Sequence, residues 1–158
     1  VIVATVIAAS RPAVWAELER IEDHVRWMAD ATAIRFTGPR RRGEGTTFEC
    51  DTKVGPVRMT DRMEITGWDP GSSMEVVHRG IVTGRGRFTL EDAPGRATTI
   101  RWQEELRFPP WWGGRLGALM ARPVLAAVWR GNLRRLRTRI EAGSGPVSPP
   151  WPGPTHRR

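Results

Sequence analysis

The sequence predicts an α+β fold in which a curved antiparallel sheet of six to seven strands wraps around a long C-terminal helix, with two short helices after the first strand. Three observations predict it. Apolar and polar residues alternate from Val57 to Phe108 between closely spaced turn signals, an apolar stripe at helical spacing runs from Leu116 to Ile140, and two short helical patterns occupy Ala13 to Asp30.

Val1 to Ile7 reads as the first strand, rich in Val and Ile. Ser10 suits an N-cap and Pro12 an early helical position, and Val14, Leu18 and Ile21 recur at helical spacing. A second helical piece from Asp23 to Asp30 carries Val25, Trp27 and Met28, before a strand at Thr32 to Thr37 and a basic, glycine-bearing turn at Gly38 to Gly45. In the meander that follows, one face collects Thr46, Phe48 and Cys50. Other faces collect Val57, Met59, Asp61, Met63 and Ile65, then Met74, Val76 and His78, then Phe88 and Leu90, then Ile100, Trp102, Glu104 and Leu106. Gly80 to Gly86 reads as a hairpin and Glu91 to Gly95 as a turn. The helix offers Leu116, Met120, Val124 and Val128, then Leu133, Leu136 and Ile140, with Leu119, Leu125 and Trp129 widening the stripe, and Gly143 ends it. Pro123 should bend it near Arg122 or interrupt its first turns, because an interior proline removes a hydrogen bond.

A chain of 158 residues is long enough for one core. The expected division is a folded domain over 1–143 and a disordered Pro/Gly-rich tail over 144–158. No apolar run reaches the roughly 18 to 20 residues needed to cross a bilayer, and a soluble, cytoplasmic protein is expected. Cys50 is the single cysteine, which excludes an intrachain disulfide and a thiolate metal cluster.

Of 25 basic residues only Lys53 is lysine, and 17 acidic residues leave a formal charge of +8. Arginine forks suit phosphate, but Arg40 to Arg42 form one turn cluster and Arg130 to Arg139 load the end of the long helix. No zinc finger, helix-turn-helix or P-loop pattern accompanies them, so an arginine-rich solvated surface is expected and no specific nucleic-acid partner. Without HExxH, clustered cysteines or a GxGxxG opening a helix, neither a metal nor a cofactor is expected.

If the apolar members of each strand face inward, Asp61, His78 and Glu104 face inward from three separate strands. An acid beside a histidine provides an acid/base pair for enolisation, dehydration or ring closure. The structural alternative pairs Asp61 with Arg62 or Arg79, and Glu104 with Arg85 or Arg87.

Taken in order, VWAELERIEDHVRWM (Val14 to Met28), GEGTTF (Gly43 to Phe48), the Asp61 strand, HRGIVTGRGRFTLE (His78 to Glu91), TTIRWQEEL (Thr98 to Leu106) and NLRRLRTRIE (Asn132 to Glu141) resemble the polyketide cyclase/dehydrase and lipid-transport superfamily. That SRPBCC, or START-like, superfamily has the helix-grip fold and includes aromatase/cyclases and lipid and hormone carriers. The resemblance implies a hydrophobic cavity between sheet and long helix. It also places Trp111 and Trp112, on a proline-stiffened loop, near the cavity mouth.

The leading expectation is a protein that binds a small hydrophobic or aromatic molecule, contacted by Met59, Met63, Met74, Phe88, Trp102, Trp111, Trp112, Leu116, Met120 and Val124. One alternative is a cyclase, aromatase or dehydratase acting through Asp61, His78 and Glu104. Another is a non-enzymatic regulatory or partner-binding module. Monomer and homodimer are both compatible with the sequence.

Overall fold

The computed structural model describes residues 1–143. The expected tail lies outside the described residues. Strands β1 (Ile2–Ile7), β2 (Ala31–Phe36), β3 (Thr47–Val54), β4 (Val57–Asp69), β5 (Ser73–Arg79), β6 (Thr83–Ala93) and β7 (Ala97–Arg107) form one antiparallel sheet in the order β1-β7-β6-β5-β4-β3-β2. Helix α1 (Arg11–Leu18) and a 3₁₀ helix (Ile21–Arg26) follow β1, and α2 (Gly114–Gly143) closes the described chain. This is the helix-grip architecture, with seven strands.

Short connections from β3 to β7 leave only antiparallel neighbours. The first strand then pairs with the last, Val3 opposite Trp102 and Ile7 opposite Thr98, while the helical segment after β1 carries the chain to the opposite edge at β2. Register shifts between Ala31 and Ala33 and between Ile65 and Gly67 break the pleat, the kind of irregularity that bends a strand.

The core lies between the concave face, α1 and the second half of α2. Val14, Leu18 and Ile21 meet Ile7, Ile65, Ile100, Leu133 and Leu136, all nearly inaccessible to water. Helix α2 is held there by directional contacts as well. Asn132 accepts from the Ala29 N–H (2.9 Å) and donates to Asp30 (2.6 Å), Glu141 accepts from the Ala8 N–H, and Arg139 pairs with Glu17.

Three expectations change. Pro123 lies inside a continuous α2, and no interrupted turn precedes it. Pro123 and Leu119, whose carbonyl loses its usual partner, are both exposed, so water can satisfy that oxygen. The second correction concerns the stripe: Leu116 and Met120 face solvent at 68% and 71% exposure, and the buried face consists of Trp129, Asn132, Leu133, Leu136 and Ile140. The expected stripe followed apolar side chains at helical spacing, whereas the first half of α2 turns Gly117, Ala118, Ala121 and Leu125 toward the body of the protein. Finally, the turn expected at Glu91 to Gly95 sits later, because β6 runs on through Glu91 to Ala93 and the turn itself is 94–96. The Gly80 to Gly86 segment is the expected hairpin, with its turn at 80–82 and Gly84 and Gly86 on the strand that pairs back with β5.

Candidate functional site

Between the concave sheet and the first half of α2 lies a cavity of about 480 Å³. Its walls are mainly apolar. Met59, Met63, Met74, Phe88, Trp102, Trp112 and Val124 line it as the sequence reading placed them, joined by Trp129, Leu125 and Ala121 from α2. Val124 does so at the rim, since more than half of its surface is exposed. Trp111, Leu116 and Met120 are not lining residues. Trp111 is 76% exposed, and the Leu116 and Met120 side chains lie on the outer side of α2. The two adjacent tryptophans divide, Trp112 turning to the mouth beside Phe108 (ring centroids 6.2 Å apart) and Trp111 away.

The polar part of the wall is built by register. Asp61 stands in the middle of β4 opposite Cys50, His78 near the end of β5 opposite Met63, and Glu104 on β7 opposite Gly86. All three are buried, at 4%, 8% and 6% exposure, and all line the cavity. His78 Nδ1–H donates to Asp61 Oδ2, and His78 Nε2 faces Glu104 Oε2 at 3.3 Å in an ion pair. Glu104 Oε1 accepts from Trp102 Nε1–H at 2.9 Å. Burial opposes a charge on His78, but the hydrogen bonds and attraction of Asp61 and Glu104 outweigh it and push the imidazole up to about 10. At neutral pH the centre is therefore an imidazolium between two carboxyl groups. Three of the four surface arginines suggested as partners are engaged elsewhere: Arg79 with Glu64, Arg62 with Glu49 and Arg87 with Glu75.

Residues that sequence reasoning missed make this cluster possible. On β6, which separates His78 from Glu104, the inward positions are Gly84 and Gly86. A Cβ on Gly86 would overlap the Glu104 carboxylate, and one on Gly80 would stand 2.6 Å from Asp61 Oδ1. The period-two Gly-Arg-Gly preceding Phe88 was the available signal, since it puts both glycines on the Phe88 face.

Three other ionisable groups reach the cavity: His24, Cys50 and Asp30, the last bonded to the Asn132 amide. Burial holds His24 down to about 4, so its ring is neutral, bonded through Nε2 to the Leu18 carbonyl at 2.8 Å. Burial pushes the Cys50 thiol up to about 11, which removes the thiolate that covalent catalysis needs. Among the described residues no group of three or more His, Cys, Asp or Glu side chains is arranged to hold a metal ion. Nor is any helix among them long and apolar enough to cross a membrane.

Solved structures share this architecture at low sequence identity. A Thermus thermophilus protein, TTHA0849, superposes with a TM-score of 0.72 at 16% identity, over 91% of this chain and 98% of its own. DR_A0006 from Deinococcus radiodurans gives 0.67 at 16% identity, over 90% and 96%. The di-domain ARO/CYC StfQ from the steffimycin biosynthetic pathway gives 0.67 at 15% identity, over 90% of this chain and 45% of its own. No curated protein matches the sequence. Residues 1–141 match the sequence family described as polyketide cyclase / dehydrase and lipid transport, and the chain belongs to that family.

Proposed function

We propose that the protein binds a small hydrophobic or aromatic molecule in the cavity between the sheet and α2. The observation that carries this reading is a hollow of about 480 Å³, walled by methionine and aromatic side chains and bearing one small polar cluster. A volume of that order suits a drug-sized ligand, and a few convergent polar groups on apolar walls fix its orientation. Native mass spectrometry of freshly purified protein tests it. A co-purified small molecule, or saturable one-to-one uptake of an added aromatic compound, is expected, and failure of both would refute the reading.

A second reading, proton-transfer catalysis in cyclisation or dehydration, is favoured by the Asp61, His78 and Glu104 cluster. One of the solved structures sharing the fold is named as an aromatase/cyclase. With His78 held as imidazolium, proton abstraction would fall to the Asp61 or Glu104 carboxylate, and the cation would stabilise an enolate. His78→Gln should then lower turnover of a polyketide substrate at least tenfold, and unchanged turnover would remove this reading.

A further inference from the structure

The outer side of the first half of α2 is apolar, where a helix facing water carries polar residues. Leu116, Leu119, Met120, Pro123 and Ala127 recur along it at helical spacing and are exposed, and so is Val124 at its edge. Trp111 is exposed in the 3₁₀ turn just ahead of the helix. Trp111, Leu116, Leu119, Met120 and Val124 each leave more than half of their surface in water. Single apolar residues scattered over a surface are ordinary, whereas a contiguous patch of this kind marks a face made for a partner.

The charge around the patch selects that partner. No Asp or Glu occurs between Phe108 and Ile140, although the chain has 17 acidic residues. Arg115 and Arg122 flank the stripe two turns apart, and Arg130 and Arg134 continue its line beyond Ala127. Among the described residues none of these four guanidinium groups makes an ion pair or a hydrogen bond. Glu105 lines the same cleft as Arg115 and Arg122 and pairs with neither. A second copy of the chain on this face would set two groups of unpaired arginines against each other, with no acid on either helix face to receive them. A nucleic acid would satisfy the arginines and leave the leucine and methionine side chains in water. A bilayer containing acidic lipid meets both demands, its hydrocarbon taking the apolar stripe and its phosphate groups the arginines, with tryptophan at headgroup level.

We infer that the protein docks on the surface of an anionic bilayer through Trp111 and the outer face of the first half of α2, with Arg115, Arg122 and Arg130 on lipid phosphates. The patch borders the cavity mouth, where Phe108, Trp112 and Val124 are lining residues. An apolar ligand passing that mouth in the docked state moves between cavity and lipid without crossing water. The docking itself does not depend on what the cavity holds.

Co-sedimentation of the whole protein with vesicles of phosphatidylcholine, alone or with about 30% phosphatidylglycerol, tests it. Binding to the anionic vesicles is expected to be at least about tenfold tighter than to phosphatidylcholine alone. Leu116→Gln combined with Met120→Gln, which leaves the charge unchanged, should weaken it at least about fivefold, and Arg115→Gln combined with Arg122→Gln by a similar factor. Arg40→Gln combined with Arg41→Gln removes as much charge from the loop where Arg42 meets Glu19 of the α1 end, and should change binding by less than about twofold. Equal losses for the two arginine pairs, with the Leu116 and Met120 pair harmless, would assign the attraction to the +8 charge as a whole and overturn the docking face. No binding to the anionic vesicles would overturn it as well, and self-association lost in the Leu116 and Met120 variant would then give the face to a second copy.

Discussion

Gly86 lies directly opposite Glu104 in the β6–β7 register, and the space where its side chain would be is filled by the Glu104 carboxylate. The hydrogen at Gly86 is thus what lets an acid on β7 reach a histidine on β5 across the strand between them. Gly86→Ala should destabilise the fold by about 1 to 3 kcal/mol, the usual range for overpacking a filled site. In the Glu104→Ala background the same change should cost much less, since the clashing carboxylate is gone. Chemical denaturation of the four proteins in the cycle measures the difference, and equal costs in both backgrounds would show that the two residues do not compete for space.

The ion cluster predicts a pH dependence of defined sign. The folded His78 titrates at about 10 against about 6.5 unfolded, so its stabilisation is complete below pH 6.5 and is lost as pH rises toward 10. Within that window the contribution falls by up to about 1.4 kcal/mol per pH unit. Urea denaturation at pH 6, 8 and 9.5, with His78→Gln as the reference, isolates it. The gap between wild type and variant should narrow as pH rises, and a constant or widening gap would contradict the assignment.

Asn132 ties α2 to the segment just before β2. Its amide satisfies the Ala29 N–H and Asp30 together from a site closed to water, so Asn132→Ala leaves two polar groups without partners and should cost about 2 to 4 kcal/mol. Asn132→Asp should be worse at neutral pH, because it sets a second carboxylate against Asp30, and should partly recover below about pH 4 as the carboxyls protonate. Thermal unfolding of both variants at pH 7 and pH 4 tests the order. A recovery absent in the aspartate variant would show that charge is not the cause.

The two halves of α2 should respond oppositely to substitution. Leu116→Gln and Met120→Gln, on the exposed side, should change stability by less than about 0.5 kcal/mol, whereas Leu136→Ala in the closed half should cost about 2 to 5 kcal/mol. Denaturation midpoints of the three proteins decide it, and a core-sized loss at Leu116 would mean that this face is covered.

Most of the fold was legible in the sequence because period-two alternation assigns faces without reference to neighbours. That rule placed Asp61, His78 and Glu104 inward from three strands. It failed where side-chain size, not polarity, decides the geometry. Gly86 and Gly80 matter through the volume they leave empty, and a propensity reading sees them only as turn residues. The front half of α2 misled for another reason: Leu116 and Met120 fit the helical spacing, but the helix that roofs the hollow turns Ala121 and Leu125 inward and leaves Leu116 and Met120 outside. Asn132, a polar residue inside an apolar stripe, carries no signal until Ala29 and Asp30 are brought beside it.

The central claim is that the space under α2 is a binding site. It is tested most directly by titrating 1-naphthalenemethanol into wild type and into Ala121→Trp, whose indole would fill the cavity from the helix side. Saturable one-to-one binding to wild type, weakened at least tenfold in a folded Ala121→Trp, is the predicted result. Equal binding by both proteins, or no saturable binding to wild type, would contradict it.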